Sequence, residues 1–108
     1  DSGNANAEDD VQSFKQISKT AEQGDAEAQY KLGNMYESGR GIARNFVKAV
    51  QWYHKAAEQD HAKAQYNLSA MYFTGRGVTQ SYEEASKWSD KALEQGILGF
   101  NNPLAMYD

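Results

Sequence analysis

Few residues in this chain have types and spacings that could do chemistry. His54 and His61 are the only histidines, and there is no cysteine to assist them. They fall on different predicted helices, and a zinc site would need carboxylates brought in from elsewhere. Both read as surface histidines, and no metal ligand set is assigned. Gly39-Arg40-Gly41 and Gly75-Arg76-Gly77 have the glycine content of a phosphate cradle. They lack the lysine and hydroxyl of a P-loop and follow predicted helices, where a P-loop follows a strand. Arg40 and Arg76 are therefore expected to hydrogen-bond carbonyls at helix ends. Asp9, Asp10, Glu83 and Glu84 are acidic neighbours at predicted helix starts, where the helix dipole favours negative charge without any acid–base role. Tyr30, Tyr36, Tyr66, Tyr72, Trp52 and Trp88 resemble an aromatic box, but their recurrence at one phase marks them as core. No catalytic residue and no cofactor follows from these sets, and the chain reads as a non-enzyme.

Composition narrows the classes further. The chain has 108 residues, the size of one domain. Eleven basic against 15 acidic residues give a net charge of −4, the wrong sign for nucleic acid or an anionic membrane surface. Without cysteine there is no disulfide frame, zinc ribbon or thiol nucleophile, although this fixes no compartment. The longest apolar runs, Ala70–Phe73 and Leu104–Tyr107, fall far short of the roughly 20 residues of a membrane span. The polar start at Asp1 fits a cleaved secretory signal or a domain cut from a longer protein.

The elements that position these residues are set by an internal repeat. Ala21–Ala56 aligns with Ala57–Ala92, a period of 36 residues. Identities include Ala28, Gln29, Tyr30, Leu32, Met35, Tyr36, Gly39, Gly41, Ala49, Trp52 and Ala56 with their counterparts. The chain divides into a segment expected to be disordered over 1–7, a half repeat over 8–20, full repeats over 21–56 and 57–92, and a partial repeat over 93–108. Each repeat reads as two helices around a glycine turn, with Asn45 and Ser81 as N-caps of the second helix. The spacing predicts helices over 8–23, 26–38, 46–59, 62–74 and 82–95, and a short one from about 102. Asp60 stands where Gly24 and Gly96 stand in the register, and should cost some stability there. The apolar residues between Gly96 and Pro103 are expected to cap the end of the stack.

The strings AEAQYKLGNMYESGRGI and KAVQWYHKAAEQ, with AKAQYNLSAMYFTGRGV and EEASKWSDKALEQG after them, resemble the Sel-one-like repeat, a relative of the tetratricopeptide repeat. Ala26, Ala28, Gln29, Leu32, Gly33, Tyr36, Gly39, Gly41, Lys48, Ala49, Trp52, Tyr53, Lys55, Ala56 and Ala57 carry the pattern. Departures are Ser69 for Gly33, Ser89 for Tyr53, Asp60 for Gly24, and Asn45 or Ser81 where an aspartate is common; they should loosen packing locally. The resemblance implies an all-α fold, a right-handed α/α superhelical solenoid of antiparallel helix pairs. It also implies adaptor or scaffold roles in bacterial envelope, signalling and host-interaction proteins, so a periplasmic or secreted place is the expectation. Some disulfide-rich relatives have been described as β-lactamase-like or penicillin-binding, chemistry that would call for S-x-x-K. No serine from Ser13 to Ser89 has a lysine three residues on, and the cysteine pairs are missing.

Residues repeated in both copies specify packing, so function is expected where the copies differ. Glu27, Lys31, Asn34 and Ser38 form one helical stripe, answered by Lys63, Asn67, Ala70 and Thr74, all changed, with Phe73 in place of Glu37 at the edge. The resemblance implies that the first helices line a concave face. These nine residues are therefore the candidate groove for a partner protein or peptide. A self-assembling fragment of a longer solenoid is the alternative, with Phe14 and Ile17 at one end and Leu104, Met106 and Tyr107 at the other buried against a second copy.

Overall fold

The computed structural model describes the backbone of residues 2–96 and the side chains of residues 7–96, and all of the latter but Gln95 and Gly96 lie within or between five helices. These are α1 (Ser2–Glu22), α2 (Ala26–Ser38), α3 (Phe46–Ala57), α4 (Ala62–Thr74) and α5 (Tyr82–Glu94), with no strand among the described residues. The expected cap over 96–103, the short helix from 102 and the apolar end at Leu104, Met106 and Tyr107 lie outside the described residues. Four of the helices agree with the predicted bounds to within two residues. α1 runs back from its expected start at residue 8 to Ser2, into the segment expected to be disordered; Ala7 and Glu8 favour helix and no proline stops it.

Local chemistry explains where each helix starts and stops. Asp25, Asn45 and Ser81 adopt extended backbone and accept from the N–H three residues on, at 2.7, 3.0 and 3.1 Å. His61 caps α4 in the same way through Nδ1, 3.1 Å from the Ala64 N–H. α2 and α4 end at Gly39 (φ 77°) and Gly75 (φ 73°), whose left-handed backbone returns an N–H to the Met35 or Met71 carbonyl at 2.8 Å. Asp60 adopts the same left-handed region (φ 65°) in the register of Gly24, as the sequence anticipates.

Each helix packs chiefly on its neighbours in the chain, as short turns between antiparallel helices require, and the stack extends 47 × 29 × 28 Å. No helix pair buries its apolar stripe alone. Tyr53, Ala56, Ala57, Ala64, Leu68 and Met71 form a buried cluster shared by α3 and α4, with Trp88 of α5 against it. Phe14 and Ile17 of α1 pack on Ala28 and Leu32, and Phe14 meets Tyr36 edge-on at 5.7 Å, so these two side chains point into the stack.

A second kind of repetition is polar. Gln29 and Gln65 are buried and donate to the carbonyls of Ala21 and Ala57, at 3.2 and 3.1 Å. Their own Oε1 atoms accept from Gln59 and Gln95, at 2.9 Å each. Each buried amide thus joins its own helix to the one before it and to the turn after the next, with a partner for both its nitrogen and its oxygen, the condition for burying it cheaply.

Candidate functional site

The nine stripe residues all reach solvent: Asn34, Asn67 and Ala70 are half-buried and the other six exposed. The two halves meet where Asn67 Nδ2 donates to Asn34 Oδ1 at 3.2 Å, bringing α2 and α4 side by side. The residues differ in what holds them. Ser38 and Thr74 turn their hydroxyls back onto the Asn34 and Ala70 carbonyls, at 2.8 and 2.9 Å. Glu27 is committed to the next repeat. Its Oε1 lies 2.6 Å from His61 Nε2, and Lys31 is 3.9 Å away on the same helix. The hydrogen bond from His61 holds the Glu27 carboxyl below its ordinary range, against a smaller opposing effect of burial and with help from the charges of His61, Lys31 and Lys63. His61 also stacks on Tyr30 at 4.7 Å. It is an inter-repeat tie and a helix cap, where the sequence suggested a plain surface residue.

The Gly-Arg-Gly loops are likewise structural, with partners the sequence did not suggest. Arg40 reaches the Asp10 carboxylate at 3.1 Å. Arg76 lies over the Phe46 ring at 5.5 Å, with Glu37 at 3.8 Å. Asp10 and Phe46 hold the same register position in successive repeats, so the repeated arginine docks on one spot by charge in the first case and over a ring in the second. Among the described contacts neither guanidinium bonds a helix-end carbonyl, contrary to expectation. The glycines explain the closeness. A Cβ on Gly41 or Gly77 would stand 2.3 Å from the carbonyl oxygen of Asp10 or Phe46.

The stripe lies beside two unlike surroundings. Around α2 it is polar. Asn34 and Glu37 each place an oxygen 2.6 Å from the Tyr53 hydroxyl, and a hollow of about 410 Å³ is edged by Glu37, Arg40, Arg44 and Arg76. Burial first, and then the neighbouring Glu37 carboxylate, push the Tyr53 phenol well above its ordinary range. Around α4 the four corresponding positions are Ser69, Ala70, Phe73 and Ser89 in place of Gly33, Asn34, Glu37 and Tyr53. There the space between α4 and α5 is an open pocket of about 490 Å³, lined by Tyr66, Ser69, Ala70, Phe73 and Thr74 with Tyr82, Ala85, Ser86 and Ser89. Phe73 and Tyr82 are 58% and 64% exposed, the two most exposed large apolar side chains described, and their rings lie 5.2 Å apart at its edge.

Of the expected groove residues, Lys31, Asn34 and Ser38 thus border the charged side, and Ala70, Phe73 and Thr74 border this pocket. Tyr66, Tyr82, Ser86 and Ser89 are additions that the stripe alone does not predict; the signal for them was the pair of departures at 69 and 89. Among the described residues no group of histidine and carboxylate side chains could hold a metal ion. No helix among them is long and apolar enough to cross a membrane.

Comparison with known proteins places this geometry among relatives. The family model for the Sel1 repeat matches residues 26–61 and 62–97. A Sel1 repeat protein from Oxalobacter formigenes is 47% identical, with a TM-score of 0.75 over 77% of this chain and 34% of that one. The protein c5321, a protective antigen present in uropathogenic Escherichia coli strains with an SLR fold, is 38% identical, with a TM-score of 0.80 over 81% of this chain and 19% of that one. Cysteine rich protein B of Helicobacter pylori is 26% identical, with a TM-score of 0.74 over 87% of this chain and 67% of that one. The chain therefore spans about a third and a fifth of the first two. The search of curated proteins gives no match.

Proposed function

The chain belongs to the Sel1 repeat family, helical solenoids that are typically protein–protein interaction modules and generally non-catalytic scaffolds, and on that premise we propose that it holds a partner protein or peptide along the stripe formed by α2 and α4. One observation carries the reading. Residues that build the stack recur in both repeats, whereas Glu27, Lys31, Asn34 and Ser38 differ at every position from Lys63, Asn67, Ala70 and Thr74 while remaining open to solvent. Packing accounts for part of this difference, since Glu27 ties His61 and Asn34 faces the Tyr53 hydroxyl and Asn67, but it makes no such demand on the exposed Lys31, Lys63 and Phe73. The stripe offers lysines at 31 and 63, amides at 34 and 67, and an exposed ring at 73. That mixture suits an extended or helical segment bound through polar contacts and one apolar anchor. The acidic balance of the chain gives no support to a nucleic-acid partner.

Site-specific photocrosslinking in an extract of the source cells tests the face. Probes at Ser38 and Thr74 should capture one and the same protein, and a probe at the exposed Gln51 of α3 should not. Lys31→Glu with Lys63→Glu should abolish that capture with helicity unchanged. Capture from Gln51 alone would move the site to another face.

A further inference from the structure

The pocket between α4 and α5 has a filled counterpart within the same chain. In the first repeat the corresponding space holds the Tyr53 ring, fully buried, against Gly33. In the second, Ser89 supplies no ring. The two residues whose oxygens lie 2.6 Å from the Tyr53 hydroxyl change as well, Asn34 to Ala70 and Glu37 to Phe73. Loss of the ring, and of the amide and carboxylate oxygens beside its hydroxyl, leaves an open space floored by the Ser69 side chain, whose polar groups are hydroxyls such as those of Thr74, Ser86 and Ser89. Its lining holds no charged side chain, whereas the neighbouring hollows include Lys31, Arg40, Glu37, Arg44 or Arg76. The volume of about 490 Å³ lies in the range of ligand-binding clefts, roughly 300–1,000 Å³. The exposed Phe73 and Tyr82 rings flank its mouth, where a closed monomer surface would avoid placing them.

We propose that this pocket receives one aromatic side chain without a hydroxyl, a phenylalanine, from the peptide bound along the stripe, replacing from outside the ring that the second repeat lacks. The inference rests on the partner-binding reading above and names the anchor of that same surface. Phenylalanine is favoured over lysine or glutamate because a charge placed here would be desolvated with no counter-charge in the lining. It is favoured over tyrosine because the two oxygens that serve Tyr53 have no equivalents at 70 and 73.

The test uses the full 108-residue chain and three blocked tripeptides, acetyl-Gly-Phe-Gly-amide and its tyrosine and lysine analogues, followed by backbone amide shifts. The phenylalanine peptide should give saturable shifts at Ala70, Phe73, Ser86 and Ser89; the tyrosine peptide should bind more weakly and the lysine peptide not at all. Ser69→Gly with Ser89→Phe rebuilds the packing of Gly33 and Tyr53 inside the second repeat. This variant should stay helical, melt no lower than the parent, and bind the phenylalanine peptide about tenfold more weakly or worse. Absence of saturable shifts, an equal response to lysine, or undiminished binding by the variant would overturn the proposal. So would nuclear Overhauser contacts in the free protein from residues 97–108 to the Phe73 ring, or shifts at these amides that depend on protein concentration, since the occupant would then be the chain's own end or a second copy. Crosslinks from Ser38 and Thr74 that persist when the pocket fails these tests would leave the groove standing without this anchor. Their loss in the parent protein would remove the groove itself.

Discussion

Position 33 is empty of side chain because Tyr53 occupies the space: a Cβ on Gly33 would lie 2.5 Å from Tyr53 Cδ1 and 2.6 Å from Cε1. The second repeat resolves the same contact in the opposite sense. Ser69 carries a side chain, buried and bonded to the Tyr66 carbonyl at 2.8 Å, and faces Ser89 instead of a ring. Glycine with tyrosine and serine with serine are two solutions to one packing position, and the second leaves a pocket.

Gly33→Ala should therefore cost about 2 kcal/mol of unfolding free energy by overpacking, outweighing the roughly 0.5–1 kcal/mol that alanine gains over glycine inside a helix. In a Tyr53→Ser background the same change should become neutral or favourable. Urea denaturation of the four proteins reads the coupling, which should exceed about 1 kcal/mol. Simple additivity would show that the ring does not fill that space.

The Gly-Arg-Gly loops should depend on their last glycine far more than on their arginine. Gly77→Ala puts a Cβ against the Phe46 carbonyl at a left-handed φ of 74° and should cost about 2 kcal/mol or more. Arg76→Ala loses only a partly exposed contact with a ring and a carboxylate, under about 1 kcal/mol. Thermal unfolding of the two variants, side by side, ranks them. The reverse order would return the arginines to a leading role.

Asp60 holds a left-handed backbone that Gly24 and Gly96 hold at the same place in the register. Asp60→Gly should stabilise the fold by about 0.5–1 kcal/mol, seen as a rise in melting temperature of a few degrees. A lower melting temperature would mean that the aspartate side chain contributes something the backbone angle does not reveal.

Glu27 links stability to pH. Its carboxyl is held below the ordinary range first by the hydrogen bond from His61, so folding favours its charged form. A depressed folded value means that the contribution is complete above the unfolded carboxylate range and is lost as pH falls through the folded value. The parent should therefore be the more stable at about pH 6, and its margin over Glu27→Gln should narrow on acidification to about pH 3. The carboxylate is half exposed, so the difference should be modest, under about 1 kcal/mol. Urea titrations at the two pH values decide it; a gap that widens on acidification would contradict the sign.

The sequence alone determined the bounds of α2 to α5 to within two residues, the Asn45 and Ser81 caps, the glycine turns and the repeat register. These depend on interactions within four residues, such as Asn45 capping Lys48, or on a backbone angle at one residue, such as Gly39. It also marked Ser69 and Ser89 as departures, and it found the stripe by comparing two copies of one element. Only the tertiary structure decided that these two departures face each other and leave a pocket. The same holds for His61 reaching Glu27, Arg40 reaching Asp10, and Asn67 joining Asn34. Each of these contacts spans about one repeat in the chain. The residue types permit many such partners, and the stacking of one helix pair on the next selects among them.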